Sequence, residues 1–115
     1  AKVTVSEATV KLEVQGERHF RVAEADGPVD ALDRALRAAL VPTYPILEDM
    51  HLVDYRVRIL NPDAGTSAVT RVMIDSRDSD GQTWTTVGVS ANILDASFMA
   101  LSDAVAFKLF RAGTR

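Results

Sequence analysis

The spacing of apolar residues changes twice from a strand period to a helix period along this chain of 115 residues, and that alternation limits the folds it can adopt. Apolar residues recur at every second or third position over 2–14, and Phe20 and Val22 then alternate with polar residues. This pattern predicts a β-hairpin over residues 8–25 that turns around 15–17.

The period changes to that of a helix after Gly27. Pro28 occupies a favoured first helical position and Pro42 would end the run, so we predict a helix over 28–41. Its expected apolar stripe consists of Val29, Leu32, Leu36, Ala39 and Leu40. The segment 42–45 begins and ends with proline, so the chain is predicted to turn there.

The strand period returns at Leu52. Tyr55, Val57 and Ile59 fall on one face of this segment, which predicts a half-buried strand. The opposite face carries Asp54, Arg56 and Arg58. Because charged strand faces are usually solvated, we expect these arginines, like Arg71, to face water, with anion binding as the alternative.

Two more strands and a second helix complete the predicted order. Strands over 66–76 and 83–89 are predicted to form a hairpin around 78–81. Asn92 is a good N-cap for a helix that should end near Arg111. Its expected apolar stripe consists of Leu94, Phe98, Leu101, Val105 and Leu109.

An internal repeat relates the two halves of the chain. The pattern Asp-Ala-x-x-x-Ala-Leu occurs at 30–36 and again at 95–101. In the same frame, Gly16, Val22 and Val29 match Gly81, Val87 and Leu94. We therefore predict one α+β domain, 1–115, in which two pseudo-symmetric β-β-β-α units, about 1–41 and 52–112, pack together and dimerise. Chance similarity between amphipathic helices is the alternative.

Charge and composition exclude several classes of protein. The net charge is −3 and the basic residues are scattered, so we expect no nucleic-acid partner. No apolar run is long enough to span a membrane, and the alternating N-terminal polarity is unlike a signal peptide, so a cytoplasmic protein is expected. The absence of cysteine excludes disulfides, zinc-thiolate sites and thiol nucleophiles.

No catalytic or metal-binding motif is evident. His19 and His51, the two histidines, stand outside any recognisable motif, and we expect both on the surface or on an edge strand. Asp75, Asp78 and Asp80 lack the downstream glutamate of a calcium loop and are expected to form a solvated turn. We therefore expect no catalytic residue, no metal and no cofactor in this chain.

The start of the first helix is the best candidate for ligand binding. Free N–H groups there suit a carboxylate, and Asp30 could accept hydrogen bonds from an ammonium group, so together they match a zwitterionic amino acid. The alternative is that Asp30 caps its own helix. Trp84, the one tryptophan, is expected to pack in the core or at an interface, with a ligand platform as the alternative.

Three segments of the chain resemble a known family. They are GPVDALDRAL at 27–36, LVDYRVRIL followed by NPDAGTSAVTRVMI at 52–74, and TWTTVGVSANILDASFMALSDAVAFKL at 83–109. The chain resembles the C-terminal regulatory (allosteric, dimerisation) domain of the α-isopropylmalate synthase and citramalate synthase family, with the citramalate synthase branch favoured. The resemblance implies the fold of two β-β-β-α units and a homodimer.

The resemblance also implies a function. Members of this family condense acetyl-CoA with a 2-keto acid on an N-terminal TIM barrel, which is absent from this chain, so the chain by itself is not expected to be an enzyme. The implied effector is isoleucine, bound near the dimer interface for feedback inhibition. A leucine-sensing domain of 2-isopropylmalate synthase and a purely structural dimerisation module are the alternatives.

The resemblance carries an effector site to particular positions. These are Val29, Asp30, Leu52, Tyr55, Ile59, Thr66, Ala68, Thr70, Val89, Ser90 and Asn92. Asp30 is expected to hold the ammonium group. Leu52, Tyr55 and Ile59 are expected to form an apolar wall, since Tyr55 and Ile59 share a strand face.

Overall fold

The structure, a computed structural model, describes residues 6–113 with the exception of the Thr66 side chain. Residues 1–5, where the predicted first strand begins, lie outside that range. The chain divides into two compact units, Ala1–Leu47 and Glu48–Arg115. Their described part contains two antiparallel sheets and two α-helices, so the predicted α+β class is confirmed.

The first unit is a hairpin followed by a helix. Strands β1 (Ser6–Val14) and β2 (Glu17–Ala25) pair antiparallel, and helix α1 spans Pro28–Leu40. Gln15 and Gly16 connect the strands with φ angles of 51° and 83°, the left-handed geometry that two-residue hairpin turns require. The predicted turn and helix are therefore confirmed, with α1 ending one residue early.

Each face of this hairpin has a distinct environment. The face that carries Val10, Val14 and Ala25 is buried, and α1 contacts both strands. Phe20 and Val22 lie on the other face and are 56% and 49% exposed. Phe20 and Val22 therefore do not contribute to the core of the first unit.

Alanines, not the larger apolar residues, form most of the buried face of α1. Ala31, Ala35 and Ala39 are completely buried, together with Leu36. The expected stripe residues Val29, Leu32 and Leu40 are only half-buried. This prediction was partly wrong because small side chains let the helix axis approach the strands, which turns the larger residues towards the flanks.

The second unit has the order β-β-β-α. Strands β3 (Met50–Ile59), β4 (Thr70–Asp78) and β5 (Thr83–Ser90) form an antiparallel sheet in that order, and helix α2 spans Ile93–Arg111. Short 3₁₀ helices at Pro45–Asp49 and Pro62–Ser67 precede β3 and β4. The described part of the first unit has two strands before its helix, where this unit has three.

The predicted start of the strand at residue 66 is wrong. β4 begins at Thr70, because Pro62–Ser67 forms a 3₁₀ helix. The Asn61 side chain accepts a hydrogen bond from the Val69 backbone N–H at 2.6 Å, which closes this loop before the strand begins. Such side-chain bonds to nearby backbone compete with strand pairing.

Helix α2 is capped as predicted, and its expected apolar stripe is buried only in part, at Leu101 and Val105. The Asn92 side chain accepts hydrogen bonds from the backbone N–H groups of Leu94 and Asp95, which confirms the N-cap. Leu94, an expected stripe residue, is 47% exposed. The buried residues are Ala96, Ser97, Ala100, Leu101, Ala104, Val105 and Lys108. Within residues 6–113, no helix is long and apolar enough to cross a membrane.

Matched positions of the predicted repeat have similar environments. Gly16 and Gly81 are turn glycines with φ angles of 83° and 81°. Ala31 and Ala35 are completely buried, as are their counterparts Ala96 and Ala100. The internal repeat itself stays a prediction.

Trp84 belongs to the core of the second unit, as predicted. It is 8% exposed, and its Nε1–H donates a hydrogen bond to the Ala104 carbonyl oxygen at 3.2 Å. Its ring centroid lies 5.4 Å from that of Phe107. The single tryptophan is therefore a fluorescent reporter of the contact between β5 and α2.

Substitution of Gly88 tests this contact. A Cβ atom at Gly88 would lie 1.9 Å from the Ala96 carbonyl oxygen, so Gly88→Ala must push α2 away from β5. We expect a loss of about 1–3 kcal/mol in unfolding free energy, as is typical of overpacking. Denaturant unfolding followed by Trp84 fluorescence measures it. Thr83→Ala, an exposed change on the same strand, is the control and should have little effect; equal stability of both variants would contradict the close approach.

A buried lysine joins three elements of the second unit. Lys108 Nζ lies 3.0 Å from Asp49 Oδ2 and 3.2 Å from Asp78 Oδ2. Hydrogen bonds from Ser79 and Lys108 hold the pKa of Asp49 below its ordinary value. Burial acts to raise the pKa of Asp78, but bonds from Lys108 and the Gln82 backbone outweigh it and lower that pKa. Burial likewise acts to lower the pKa of Lys108, and its two carboxylate partners raise it instead.

This cluster predicts how the second unit responds to acid. Because the pKa values of Asp49 and Asp78 are lowered by folding, their contribution to stability is complete above the ordinary value of 3.8 and is lost as the pH falls below it. The raised pKa of Lys108 leaves its contribution intact until the pH exceeds 10.5. The native chain should therefore unfold in acid only below about pH 4.

Lys108→Met removes the cation and leaves Asp78 buried without a counter-charge, so acid unfolding should begin at a higher pH than in the native chain. An acid titration followed by Trp84 fluorescence measures the onset. Lys11→Met, at an exposed lysine of β1, makes the same change in net charge and should leave the onset in place. An unchanged onset in Lys108→Met would show that the cluster does not stabilise the fold.

Candidate functional site

Asp30 lies at the start of α1 with its carboxylate free. The N-cap residue Gly27 provides no side-chain cap, and Asp30 is exposed and makes no hydrogen bond or ion pair within residues 6–113. The alternative that Asp30 caps its own helix is therefore wrong. The first internal helical bond runs from Ala31 N–H to Gly27, so the N–H groups of Val29 and Asp30 have no helical partner. A carboxylate and free N–H donors thus lie within one helical turn.

Several expected effector residues meet at one end of the second unit. Ile59 pairs with Thr70, and Thr70 pairs with Ser90, so the three lie in one row across the sheet. Asn92 follows two residues after Ser90 and caps α2, which therefore begins at this end. The sheet register brings these four residues together at the N-terminal end of α2.

Tyr55 shares the strand face of Ile59 and lies four residues further from this end. Its cross-strand partner Ile74 is completely buried, whereas Tyr55 is half-buried and Ile59 is 54% exposed. The apolar face of the predicted half-buried strand is confirmed. The exposure of its residues rises from Tyr55 to Ile59, so this face is open to solvent at the Ile59 end. An exposed apolar side chain beside polar residues is suited to contact a small amphipathic ligand.

A β-bulge places Leu52 on the same face as Tyr55. Three residues of spacing would put the two on opposite faces of a regular strand. The pairing shifts between Leu52 and Asp54, and Val53 is the extra residue, 47% exposed. Leu52 therefore pairs with Ser76, a buried residue on the face that α2 covers.

Other expected effector residues lie apart from this row. Val89 pairs with Arg71, so it lies on the opposite face of the sheet from Thr70 and Ser90 and is 43% exposed. Ala68 follows the 3₁₀ helix as a half-buried residue, and the side chain of Thr66 is outside the described part. Val29 and Asp30 belong to the first unit, so the complete effector site stays a prediction.

Ser97 is the neighbour of Tyr55 that the sequence did not indicate. Its Oγ lies 3.0 Å from the Tyr55 hydroxyl oxygen, and the serine is completely buried. The expected stripe of α2 contains only large apolar residues and therefore omits Ser97. The spacing of Ala96, Ala100 and Ala104 was the available signal, since Ser97 is adjacent to that row on the helix surface.

The polar residues considered for catalysis and metal binding have mostly structural surroundings. Residues 6–113 contain no group of acidic or histidine side chains that could hold a metal ion. The expectation of a solvated turn is wrong for Asp78, which is buried against Lys108. His19 lies on an edge strand with a side chain only 14% exposed, and His51 is exposed on β3.

The arginine face of the second sheet is partly paired. Arg56 contacts Asp54 at 3.5 Å and Asp75 at 3.0 Å, as expected for a charged face at the surface. Arg71 is half-buried, and its Nε has no hydrogen-bond partner within the described residues. These contacts stabilise the sheet and include none of the expected effector residues.

Comparison with known proteins identifies the family to which the chain belongs. Residues 1–109 match the family model of the LeuA allosteric (dimerisation) domain, and the chain belongs to that family. It is 54% identical over 102 residues to the (R)-citramalate synthase of Synechocystis sp. and 53% identical over 108 residues to that of Streptomyces coelicolor. A 2-isopropylmalate synthase of Aquifex aeolicus is 35% identical over 98 residues.

The matches cover most of this chain and a small part of each relative. They include 89%, 94% and 85% of the chain, but 18%, 20% and 17% of the Synechocystis, Streptomyces and Aquifex enzymes. The chain thus spans about a fifth of the length of the curated relatives it matches. The family assignment therefore concerns a regulatory domain.

Proposed function

We propose that this chain is the effector-binding regulatory domain of a cytoplasmic, acetyl-CoA-dependent acyltransferase of the citramalate synthase type. On this proposal it is not catalytic by itself. It binds a branched-chain amino acid, isoleucine in preference to leucine, and thereby mediates feedback inhibition of a catalytic TIM barrel in the parent chain. The family match and the higher identity to (R)-citramalate synthases than to the 2-isopropylmalate synthase support this proposal.

The free carboxylate of Asp30 is the observation that carries the proposal. An exposed aspartate that has no ion pair among residues 6–113 is available to an ammonium group, and the N–H groups of Val29 and Asp30 are available to a carboxylate. An α-amino acid presents both groups on one carbon atom. The start of α1 therefore has the donors and acceptor that a zwitterion requires.

The second unit supports the proposal with a surface for the effector's side chain. Leu52, Tyr55 and Ile59 share one face of β3. Thr70 and Ser90 lie in the same cross-strand row as Ile59. Burial of an aliphatic side chain against such a face contributes roughly 25 cal/mol per Å² of apolar area. We propose that Leu52, Tyr55 and Ile59 form the apolar wall of the site.

We propose that two copies of the domain pair and that the effector binds near their interface. The family description names dimerisation, and the chain exposes apolar side chains on both units. They include Phe20, Val22, Val87 and Val89. An effector that binds more tightly to one conformation of this dimer shifts the equilibrium towards it, typically by about 1–3 kcal/mol of coupling.

Calorimetric titration tests effector binding. The chain should bind isoleucine most tightly, leucine more weakly and valine least. Asp30→Asn removes the negative charge with little change in shape and should weaken binding at least tenfold, since hydrogen bonds to charged groups contribute about 1.5–3 kcal/mol. Asp103→Asn, at an exposed position of α2, is the control and should bind as the native chain does.

Three results would contradict parts of this proposal. No binding of any of the three amino acids would favour a purely structural dimerisation module. Tighter binding of leucine than of isoleucine would favour the 2-isopropylmalate synthase type of domain. Full affinity in Asp30→Asn would remove Asp30 from the ammonium site.

Light scattering tests the dimer. The chain should elute with twice the mass of one polypeptide, both with and without isoleucine. A monomer under both conditions would contradict an effector site at a dimer interface.

A further inference from the structure

The Tyr55 hydroxyl connects the edge strand of the second sheet to helix α2. Tyr55 lies on β3, which among the described strands pairs only with β4, and Ser97 lies in the first turns of α2. Their side-chain oxygens are 3.0 Å apart, a good distance for a hydrogen bond between hydroxyls. Ser97 is completely buried, so its oxygen is protected from competing water.

The direction of this hydrogen bond follows from a second contact of Ser97. Its Oγ also lies 2.7 Å from the carbonyl oxygen of Ile93, one turn earlier in α2, and a carbonyl oxygen only accepts. A serine hydroxyl has one hydrogen, which this shorter bond uses. Tyr55 must then donate to Ser97, and Ser97 donates to Ile93.

This chain of hydrogen bonds fixes the tyrosine ring. A tyrosine side chain has two rotatable bonds that position its ring, and a hydroxyl fixed to a buried acceptor removes that freedom. Ile74, the cross-strand partner of Tyr55, is completely buried on the same face of the sheet. The hydroxyl is consequently occupied, and the ring surface is the part of Tyr55 left for a ligand.

We infer that Ser97 is a positioning residue that sets the amino-acid specificity of the effector site by holding the Tyr55 ring in place. The inference rests on the proposed function. An apolar pocket discriminates a missing methylene group by about 10–200-fold. Isoleucine and leucine have the same number of carbon atoms and differ only in where one methyl group is attached. Separation of the two needs a wall that does not move to fit either isomer. A Tyr55 ring released from Ser97 accommodates both.

A double-mutant cycle first tests the hydrogen bond without any ligand. Tyr55→Phe and Ser97→Ala each remove one hydroxyl, and the variant with both changes removes the pair. If the hydroxyls are bonded, the double variant loses less stability than the sum of the two single losses. Denaturant unfolding followed by Trp84 fluorescence measures all four proteins. Additive losses would overturn the inference, because the ring would then not be held by Ser97.

Titration with isoleucine and leucine then tests specificity. The ratio of the two dissociation constants should move towards one by about tenfold in Tyr55→Phe and in Ser97→Ala. The tighter ligand should lose the most affinity, because both variants retain the apolar ring. Ser102→Ala is the control, also a serine-to-alanine change in α2. The Ser102 side chain makes no hydrogen bond within residues 6–113, so this variant should keep the native ratio.

The outcomes separate this inference from the proposed function. If the native chain binds isoleucine or leucine and both variants keep its ratio, the inference is wrong and the proposed function stands. If the native chain binds neither, the proposed function fails and the inference fails with it. If Ser97→Ala does not fold, the ratio of dissociation constants measured for Tyr55→Phe tests the inference by itself.

Discussion

The close packing of α2 on β5 is the contact on which the rest of the second unit depends. Gly88 lets the backbone of α2 approach β5. Residues two positions apart on β5 then contact residues four positions apart on α2. Gly88 lies under Ala96, Thr86 Oγ1 donates to the Ala100 carbonyl oxygen at 2.7 Å, and Trp84 Nε1 donates to that of Ala104. Two strand residues advance about 6.6 Å and four helix residues about 6.0 Å, so the two periods nearly match.

This packing determines where the candidate site lies. Because α2 runs from the Ser90 end of β5 back over the sheet, its capped N-terminus lies beside the row of Ile59, Thr70 and Ser90. Ser97, in the next turn of α2, then lies where its Oγ accepts a hydrogen bond from the Tyr55 hydroxyl. The side chains of Ser97 and Tyr55 thus connect α2 to the surface of β3 that is proposed to bind the effector.

The elements that the sequence predicted well are those marked by local signals. Pro28, Pro42 and the Asn92 cap act within one helical turn, so both helices have nearly the predicted bounds. The two-residue turn at Gln15 and Gly16 is similarly local. The free carboxylate of Asp30 could not be distinguished in advance from a helix cap, since either role suits an aspartate in the first turn.

The predictions that were wrong depended on contacts between distant residues. Burial of Asp78 requires Lys108, thirty residues along the chain, and the face of Leu52 depends on a bulge against β4. The alanine row of α2 marks its buried face, but the close approach of α2 to β5 depends on the absence of a side chain at Gly88, which the helix sequence does not specify. Ile59, Thr70 and Ser90, three of the expected effector residues, lie in one row because of the pairing of their strands. The alternation of apolar and polar residues does not by itself specify that pairing.

Hydrogen–deuterium exchange with and without saturating isoleucine tests most directly the central claim that the chain binds a branched-chain amino acid as its effector. The account predicts slower exchange at 29–31, 52–59 and 89–95 on addition of isoleucine. The turn at 78–83, at the opposite end of the second sheet, should exchange as before. Unchanged exchange in the first three segments, or protection confined to 78–83, would contradict the claim.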